Sequence, residues 1–129
     1  MTFTQSQLFE DLIRLGVQIN DILFVHSSYK SIGNVSSGAL AIIKALENSV
    51  GPQGLVLMPS FNLVDRKQRA ELWEIDKSPS TTGWLYEYFR KLPNTWRSDH
   101  YSHSVAALGQ HAKAFVSEHN NNHGFDSPW

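Results

Sequence analysis

The sequence predicts an α/β fold, a layered α/β/α arrangement with a mostly parallel central sheet that is incomplete in this chain. Helical and strand-like segments alternate along 129 residues, which is the pattern of βαβ units with right-handed crossovers. The run 55–58 is apolar at every position, as in strands that are covered on both faces. Only three strands stand out, at about 21–26, 54–58 and 104–108, and three strands make a small sheet. The length of the chain indicates one domain.

Local signals place the individual elements. Thr4 and Gln7 form a capping-box pattern ahead of an amphipathic run, and Gly16 is a typical helix stop. The segment 59–80 lacks periodicity, and a loop of that length in a compact domain is usually functional or mobile. The predicted elements are helix 5–15, strand 21–25, a helix capped by Ser36 or Ser37 and ending at Val50, strand 55–58, a partly helical stretch 66–74, a helix over Gly83 to Leu92 that is begun by Ser80, Thr81 or Thr82 and has Trp84 on its core face, strand 104–108 and helix 112–119.

Composition excludes several classes of protein. Eleven Lys and Arg residues against twelve Asp and Glu give a net charge of −1, whereas nucleic-acid binders and polybasic membrane-surface proteins carry a basic excess. No segment approaches the roughly 20 apolar residues of a membrane span. The absence of cysteine excludes disulfides, thiolate nucleophiles and cysteine-ligated zinc. We therefore expect a soluble cytoplasmic protein with no nucleic-acid or membrane partner.

The first candidate site follows the strand 21–25. His26, Ser27, Ser28 and Lys30 lie where that strand runs into a hydroxyl-rich loop and then a helix, and α/β sheets bind ligands outside the carboxyl ends of their strands. Such a loop can hold an anion with its amides and a helix N-terminus. The glycine spacing matches neither a Walker loop nor a dinucleotide fingerprint. The alternative is that Ser27 and Ser28 cap the loop and His26 is a hydrogen-bonded core residue.

The second candidate site precedes the strand 104–108. Within the segment 97–104, His100 and His103 can form a general base oriented by Asp99, or can serve as two metal ligands. No third clear ligand follows at close spacing, which weighs against a metal. A solvated polar loop is the remaining interpretation.

An ordered set of motifs resembles the aminoglycoside 3-N-acetyltransferase family over about residues 4–129. The set comprises Val25-His26-Ser27-Ser28 with Ser31-Ile32-Gly33, Gly51-Pro52-Gln53-Gly54, Val56-Leu57-Met58-Pro59-Ser60-Phe61, Arg97-Ser98-Asp99-His100 with Ser104, and Ser127-Pro128. The resemblance implies transfer of an acetyl group from acetyl-CoA, without a metal, to an amino group of an aminoglycoside or related amino sugar.

The resemblance also implies roles for particular residues. Family members place the coenzyme against the His-Ser-Ser loop, and His100 lies in a further stretch of the active-site cleft. By position, His100 is the catalytic candidate, and the coenzyme-binding candidates are His26, Ser27, Ser28, Lys30, Ser31, Gly33 and Ser104.

Two departures from the family pattern matter. Family members are about twice as long, and their second half carries a His-x-x-Glu motif with the presumed base, whereas none of the six histidines here has Glu three positions on. Tyr101 also replaces the proline that usually follows the motif histidine. We therefore interpret residues 1–129 as the N-terminal part of a single such domain, which lacks the base and is prone to self-association. The alternatives are a non-catalytic module that binds CoA or another anion and, third, a histidine-ligated metallohydrolase.

Overall fold

The computed structural model describes residues 1–117 and residue 119, and helices and strands alternate along much of this part. In chain order the elements are β1 (Thr2–Phe3), α1 (Gln5–Leu15), β2 (Ile22–Phe24), α2 (Tyr29–Ile32), β3 (Asn34–Val35), α3 (Gly38–Val50), β4 (Leu55–Pro59), α4 (Arg69–Leu72), α5 (Trp84–Arg90), β5 (Thr95–Arg97), β6 (Val105–Leu108) and α6 (Ala112–Val116).

The central sheet has the strand order β2-β4-β6-β5. Strands β2 and β4 are parallel, but β6 runs antiparallel to both β4 and β5, so the α/β class is confirmed while the sheet is only partly parallel. The reason is the connection between β5 and β6, whose seven residues, 98–104, are fewer than the dozen or so that a parallel crossover needs. Strands β1 and β3 form a separate parallel pair.

Helices cover both faces of this sheet, as the layered arrangement predicts. Alternate residues of β4 and β6 point to opposite faces, so each strand contributes to two clusters. One cluster joins β4 and β6 to α3 and α5 and includes Ile43, Leu46, Val56, Met58, Leu85 and Phe89. The other joins the same strands to α6 and includes Leu55, Leu57, Val105, Ala107, Ala112 and Val116. Every residue of β4 is buried.

Both predicted signals of α1 are confirmed, the capping box at Thr4 and the stop at Gly16, and Ser37 lies at the predicted N-cap position of α3. The Thr4 hydroxyl accepts the Gln7 amide at 3.2 Å, and the Gln7 side chain accepts the Thr4 amide at 2.9 Å. Helix α3 starts after Ser37, whose φ of 67° is left-handed and whose side chain makes no capping bond. Helix α5 starts after Gly83, because Ser80 and Thr81 are used by the preceding loop.

Two further expectations need correction. Trp84, predicted on a core face, is 58% exposed and packs on the rings of Tyr29 and Tyr88 instead of entering the core. The last helix ends at Val116, since Ser117 is already extended. No helix in the described part of the chain combines the length and the apolar character needed to cross a bilayer.

Candidate functional site

One edge of the central sheet gathers the polar segments that the sequence singles out. Because β2, β4 and β5 point the same way, their carboxyl ends meet at this edge, and the antiparallel β6 begins there. Three segments therefore converge on it: the loop 26–33 after β2, the long loop 60–80 after β4 and the connection 98–104 after β5. The crevice outside strand carboxyl ends is where α/β sheets bind ligands.

The loop 26–33 is held to α5 by aromatic side chains. The Ser27 N–H donates to the Tyr86 hydroxyl at 2.8 Å, and that hydroxyl donates to the Ser27 carbonyl at 3.0 Å. The ring of Tyr29 packs on Trp84 with centroids 4.7 Å apart. The loop is therefore not irregular throughout: it contains the single helical turn α2, which ends at Gly33 with a φ of 87°.

Most of the predicted coenzyme contacts in this loop face outward. The exposed ones are His26, Ser28, Lys30, Ser31 and Gly33. His26 stacks on Phe24 at 4.8 Å and is not a core residue, and Ser28 makes no side-chain capping bond, so neither part of the structural alternative holds for these two residues. The Ser27 hydroxyl oxygen is buried and has no partner in the described part of the chain.

A small cavity lies beside this loop. It measures about 380 Å³ and is lined by Tyr29, Lys30, Gly33, Asn34 and Val35. Lys30 brings the positive charge that a phosphate needs, and Gly33 presents no side chain.

The guanidinium of Arg97 holds the long loop 60–80 in place. Arg97 donates to the carbonyls of Ser60 at 2.9 Å and Ile75 at 3.0 Å, and also to the carbonyl of Ser78. Its guanidinium carbon lies 4.5 Å from the centre of the Trp73 ring. Burial lowers the pKa of Arg97 to about 10, so the group keeps its charge at neutral pH.

Trp73 ties the same loop to the connection 98–104. Its indole N–H donates to Asp99 Oδ1 at 2.8 Å. The carboxylate that the sequence suggests as the orienter of a catalytic histidine thus also anchors the long loop.

His100 is buried, with 8% of its surface exposed. Its Nδ1 accepts the amides of His103 at 2.9 Å and Ser102 at 3.3 Å. A ring nitrogen that accepts an N–H carries no proton, so the neutral imidazole holds its proton on Nε2. The ring also stacks on His119 at 4.6 Å. His100 is therefore arranged to donate a hydrogen bond from Nε2, which is not the state of a general base.

His103 lies in the same connection, 98–104, and is the second ligand that the metal hypothesis requires. His103 Nδ1 lies 2.8 Å from the Ser102 hydroxyl. Within residues 1–117 and 119, no three histidine, cysteine or acidic side chains are grouped as metal ligands.

Buried serines form the wall behind these side chains. Ser104 is fully buried, and its hydroxyl donates to the Ser98 carbonyl at 2.6 Å. The Ser98 hydroxyl accepts the Val105 amide at 2.8 Å, and the hydroxyls of Ser60 and Ser80 lie 2.7 Å apart. Ser104, a predicted coenzyme contact, thus faces the interior and supports the connection 98–104 from behind; its contact with the coenzyme stays a prediction.

Helix α5 joins the two loops through residues that sequence reasoning overlooked. Glu87 accepts the Ser80 amide at 2.6 Å and two bonds from Arg90 at 2.7 Å. Burial raises the pKa of Glu87, but the hydrogen bonds outweigh burial and lower that pKa to about 2. The sequence offers one signal for these contacts, Tyr86, because a tyrosine on a core helix usually finds a hydrogen-bond partner for its hydroxyl.

Comparison with known proteins gives one family. The model of the aminoglycoside 3-N-acetyltransferase family matches residues 24–129. A prophage-derived aminoglycoside N(3')-acetyltransferase-like protein, YokD, from Bacillus subtilis (strain 168) is 34% identical and aligns with 90% of this chain and 50% of its own length.

Two solved structures share the fold. The binary complex of AAC-IIIb with CoASH superposes with a TM-score of 0.80 at 30% identity, covering 92% of this chain and 50% of the other. AAC-VIa bound to sisomicin gives 0.85 at 28% identity, covering 99% and 55%. This chain thus spans about half the length of the proteins it matches.

Proposed function

Because the chain belongs to the aminoglycoside 3-N-acetyltransferase family, we propose that it supplies the coenzyme-binding part of an acetyl-CoA-dependent N-acetyltransferase. The acceptor is an amino group of an aminoglycoside or related amino sugar, and residues 1–129 form the N-terminal part of one domain. The observation that carries the proposal is the exposed loop 26–33 at the carboxyl edge of the sheet, with a cavity beside Lys30 and Gly33.

The loop fits the coenzyme in its chemistry. CoA carries a pyrophosphate, and Lys30 supplies a positive point charge beside the hydroxyls of Ser28 and Ser31. The buried Ser27 oxygen, which has no partner among the described residues, adds a hydroxyl that a ligand group can engage, and His26 lies exposed at the start of the loop. We assign these residues and Gly33 to coenzyme binding.

The acetyl transfer itself requires one further group, a base that accepts the amine proton. The amine nitrogen attacks the thioester carbonyl, a C–N bond forms and the C–S bond breaks, and the base that takes the amine proton passes it to the departing CoA sulfur, so CoA leaves as a thiol. His100 stays the catalytic candidate of this chain, as a donor from Nε2. A base from outside residues 1–129 completes the site in this proposal.

A second function, a non-catalytic CoA- or anion-binding module, is favoured by the state of His100. Its Nδ1 is occupied by two amides, so it is not set to deprotonate an amine. This candidate keeps the same loop as the binding site and differs only in the absence of turnover.

The proposal also includes the cellular location of the protein and the kind of molecule that it binds. A cytoplasmic enzyme agrees with the absence of cysteine, since disulfides mark oxidising compartments. The net charge of −1 favours a small-molecule substrate over nucleic acid.

A charge placed in the loop tests the proposal. In the intact protein that contains this chain, Ser28→Glu should weaken CoA binding by at least about fivefold, because two like charges about 4 Å apart repel by roughly 1–4 kcal/mol. Isothermal titration calorimetry measures the affinity. Ser6→Glu, at an exposed position of α1, adds the same charge outside the loop and should bind like the wild type. Equal affinities for Ser28→Glu and the wild type would remove the loop from the coenzyme site.

A further inference from the structure

The hydroxyl of Tyr86 satisfies both main-chain groups of one residue, Ser27. It accepts the Ser27 N–H at 2.8 Å and donates to the Ser27 carbonyl at 3.0 Å. Ser27 follows β2, whose pairing with β4 extends to the Val25 amide, which donates to the Leu57 carbonyl at 2.8 Å. At Ser27 the Tyr86 hydroxyl binds the main-chain N–H and C=O, as a neighbouring strand does for β2.

Tyr86 is itself firmly placed. Its side chain is 6% exposed and belongs to the core cluster that joins α3 and α5 to the sheet. Gly83 leaves room for the ring, since a Cβ there would lie 3.0 Å from Tyr86 Cδ2. The next residue, Glu87, binds the Ser80 amide. The hydroxyl is therefore presented to Ser27 from a fixed scaffold.

We propose that Tyr86 is the positioning residue of the loop 26–33, which holds the Ser27 peptide in the conformation that binds the coenzyme. The inference rests on the proposed function of that loop. A loop held in its bound conformation loses less conformational entropy on binding, and a binding site is accurate when the surrounding residues lock its backbone. Without the hydroxyl, the N–H and C=O of Ser27 lose their partners and the loop gains other conformations.

Tyr86→Phe tests this inference in the intact protein, because it removes one oxygen and keeps the ring in the core. CoA affinity should fall by about tenfold, which corresponds to about 1.4 kcal/mol. The exchange of the Ser27 amide hydrogen should accelerate in the absence of ligand. In steady-state kinetics the KM for acetyl-CoA should rise more than kcat falls, whereas a merely structural loss lowers the folded fraction and leaves KM unchanged.

Tyr88→Phe is the matched control. Tyr88 lies on the same helix, and its ring stacks on Trp84 at 5.3 Å. Like Tyr86→Phe, the variant removes one hydroxyl from α5 and keeps the ring. Its CoA affinity and its Ser27 exchange should stay within about twofold of the wild type. Gly83→Ala is an independent second variant, which crowds the Tyr86 ring without changing its chemistry and should weaken CoA binding as well.

The outcomes separate this inference from the proposed function. Unchanged CoA affinity and unchanged Ser27 exchange in Tyr86→Phe would overturn the positioning role. If the wild type itself did not bind CoA, the proposed function would fail and the coenzyme part of the inference would fall with it. The exchange measurement would then still decide whether Tyr86 holds the loop.

Discussion

Arg97 shows how a single side chain can organise a loop through main-chain carbonyls. Its guanidinium bonds to main-chain carbonyls of Ser60, Ile75 and Ser78, and the Trp73 ring lies against it. Arginine suits this position because its planar fork carries five donors, whereas lysine offers a compact charge with three. The long loop 60–80 is thus tied to β5 at several points by one side chain.

Replacing Arg97 by Lys should therefore loosen the loop. We expect the free energy of unfolding to fall by about 1–3 kcal/mol, because buried carbonyls lose their donors. Trypsin should cleave faster within 60–80, where Arg66, Lys67, Arg69 and Lys77 lie. Urea denaturation and timed proteolysis measure the two effects. Arg14→Lys, at an exposed pair with Asp11, should alter neither, and a similar change in both variants would contradict the anchoring role.

At the scale of elements, α5 is the junction of the site. Tyr86 holds the loop after β2, and Glu87 holds the amide of Ser80 at the end of the long loop. The Arg90 side chain donates to the same carboxylate and to the Asp76 carbonyl. A helix of seven residues therefore fixes two separate walls of the carboxyl edge.

The Glu87 contacts predict a pH dependence. The folded-state pKa of Glu87, about 2, lies below its ordinary value of 4.5, so its contribution to stability is full above about pH 4.5 and is lost as the pH falls towards 2. Glu87→Gln should lower Tm at pH 7, and the difference from the wild type should shrink below pH 4.5 and vanish at about pH 2 or below. Asp11→Asn, at an exposed surface pair, should show little effect at either pH. A constant difference in Tm across this range would mean that the charge of Glu87 is not the cause.

Elements with a strong local signal were predictable, and short ones were not. The bounds of α1 follow from the Thr4 capping box and from Gly16, and β4 follows from a continuous apolar run. Strands β1 and β3 have two residues each, too few to show a period. Strand β5 has no apolar run, because Trp96 lies on an outer strand and Arg97 anchors the long loop. Neither residue packs into a core face.

At the scale of the whole molecule, both outer strands of the central sheet lack a neighbouring strand on one side within the described residues. Strands β2 and β5 are the outer strands of the order β2-β4-β6-β5, and Ile22 and Trp96 on them are 59% and 44% exposed. At the amino edge, opposite the candidate site, α1, α3 and β5 border an open groove of about 1250 Å³, which Phe9, Leu40 and Trp96 help to line. Open edges and apolar grooves drive association.

We therefore expect the 129 residues alone to self-associate and to catalyse no acetyl transfer. Light scattering after size exclusion should detect species larger than 14.6 kDa, and a thiol assay with acetyl-CoA and an aminoglycoside should remain at background. Ile22→Lys places a charge on the outer strand and should reduce association, whereas Ile13→Lys, at a 44% exposed position on α1, should not. A monomer with a sharp melt would contradict the first part, and amine-dependent thiol release the second.

The position of the loop 26–33 was predictable at this scale, but its neighbour 98–104 and the internal connections of the site were not. In a parallel sheet the segment before the strand 104–108 would lie at the opposite edge, and only the resemblance to the family implied a shared cleft. The unpredicted strand β5 and the antiparallel direction of β6 bring 98–104 to the same edge as 26–33. The partners of Ser27 and Arg97 depend on three-dimensional proximity. Tyr86 and Ser27 are 59 residues apart, and Arg97 and Ser60 are 37 apart, so no local pattern reveals either pair.

The same separation sets an order of assembly. Contacts between distant residues require closure of long loops, and they form later than local turns and helices. The capping box of α1 spans three residues and can form as soon as that segment exists. During synthesis the N-terminal part emerges first, so the loop 26–33 waits for Tyr86 before its conformation is set. We therefore expect the candidate binding edge to fold after the layers on which it rests.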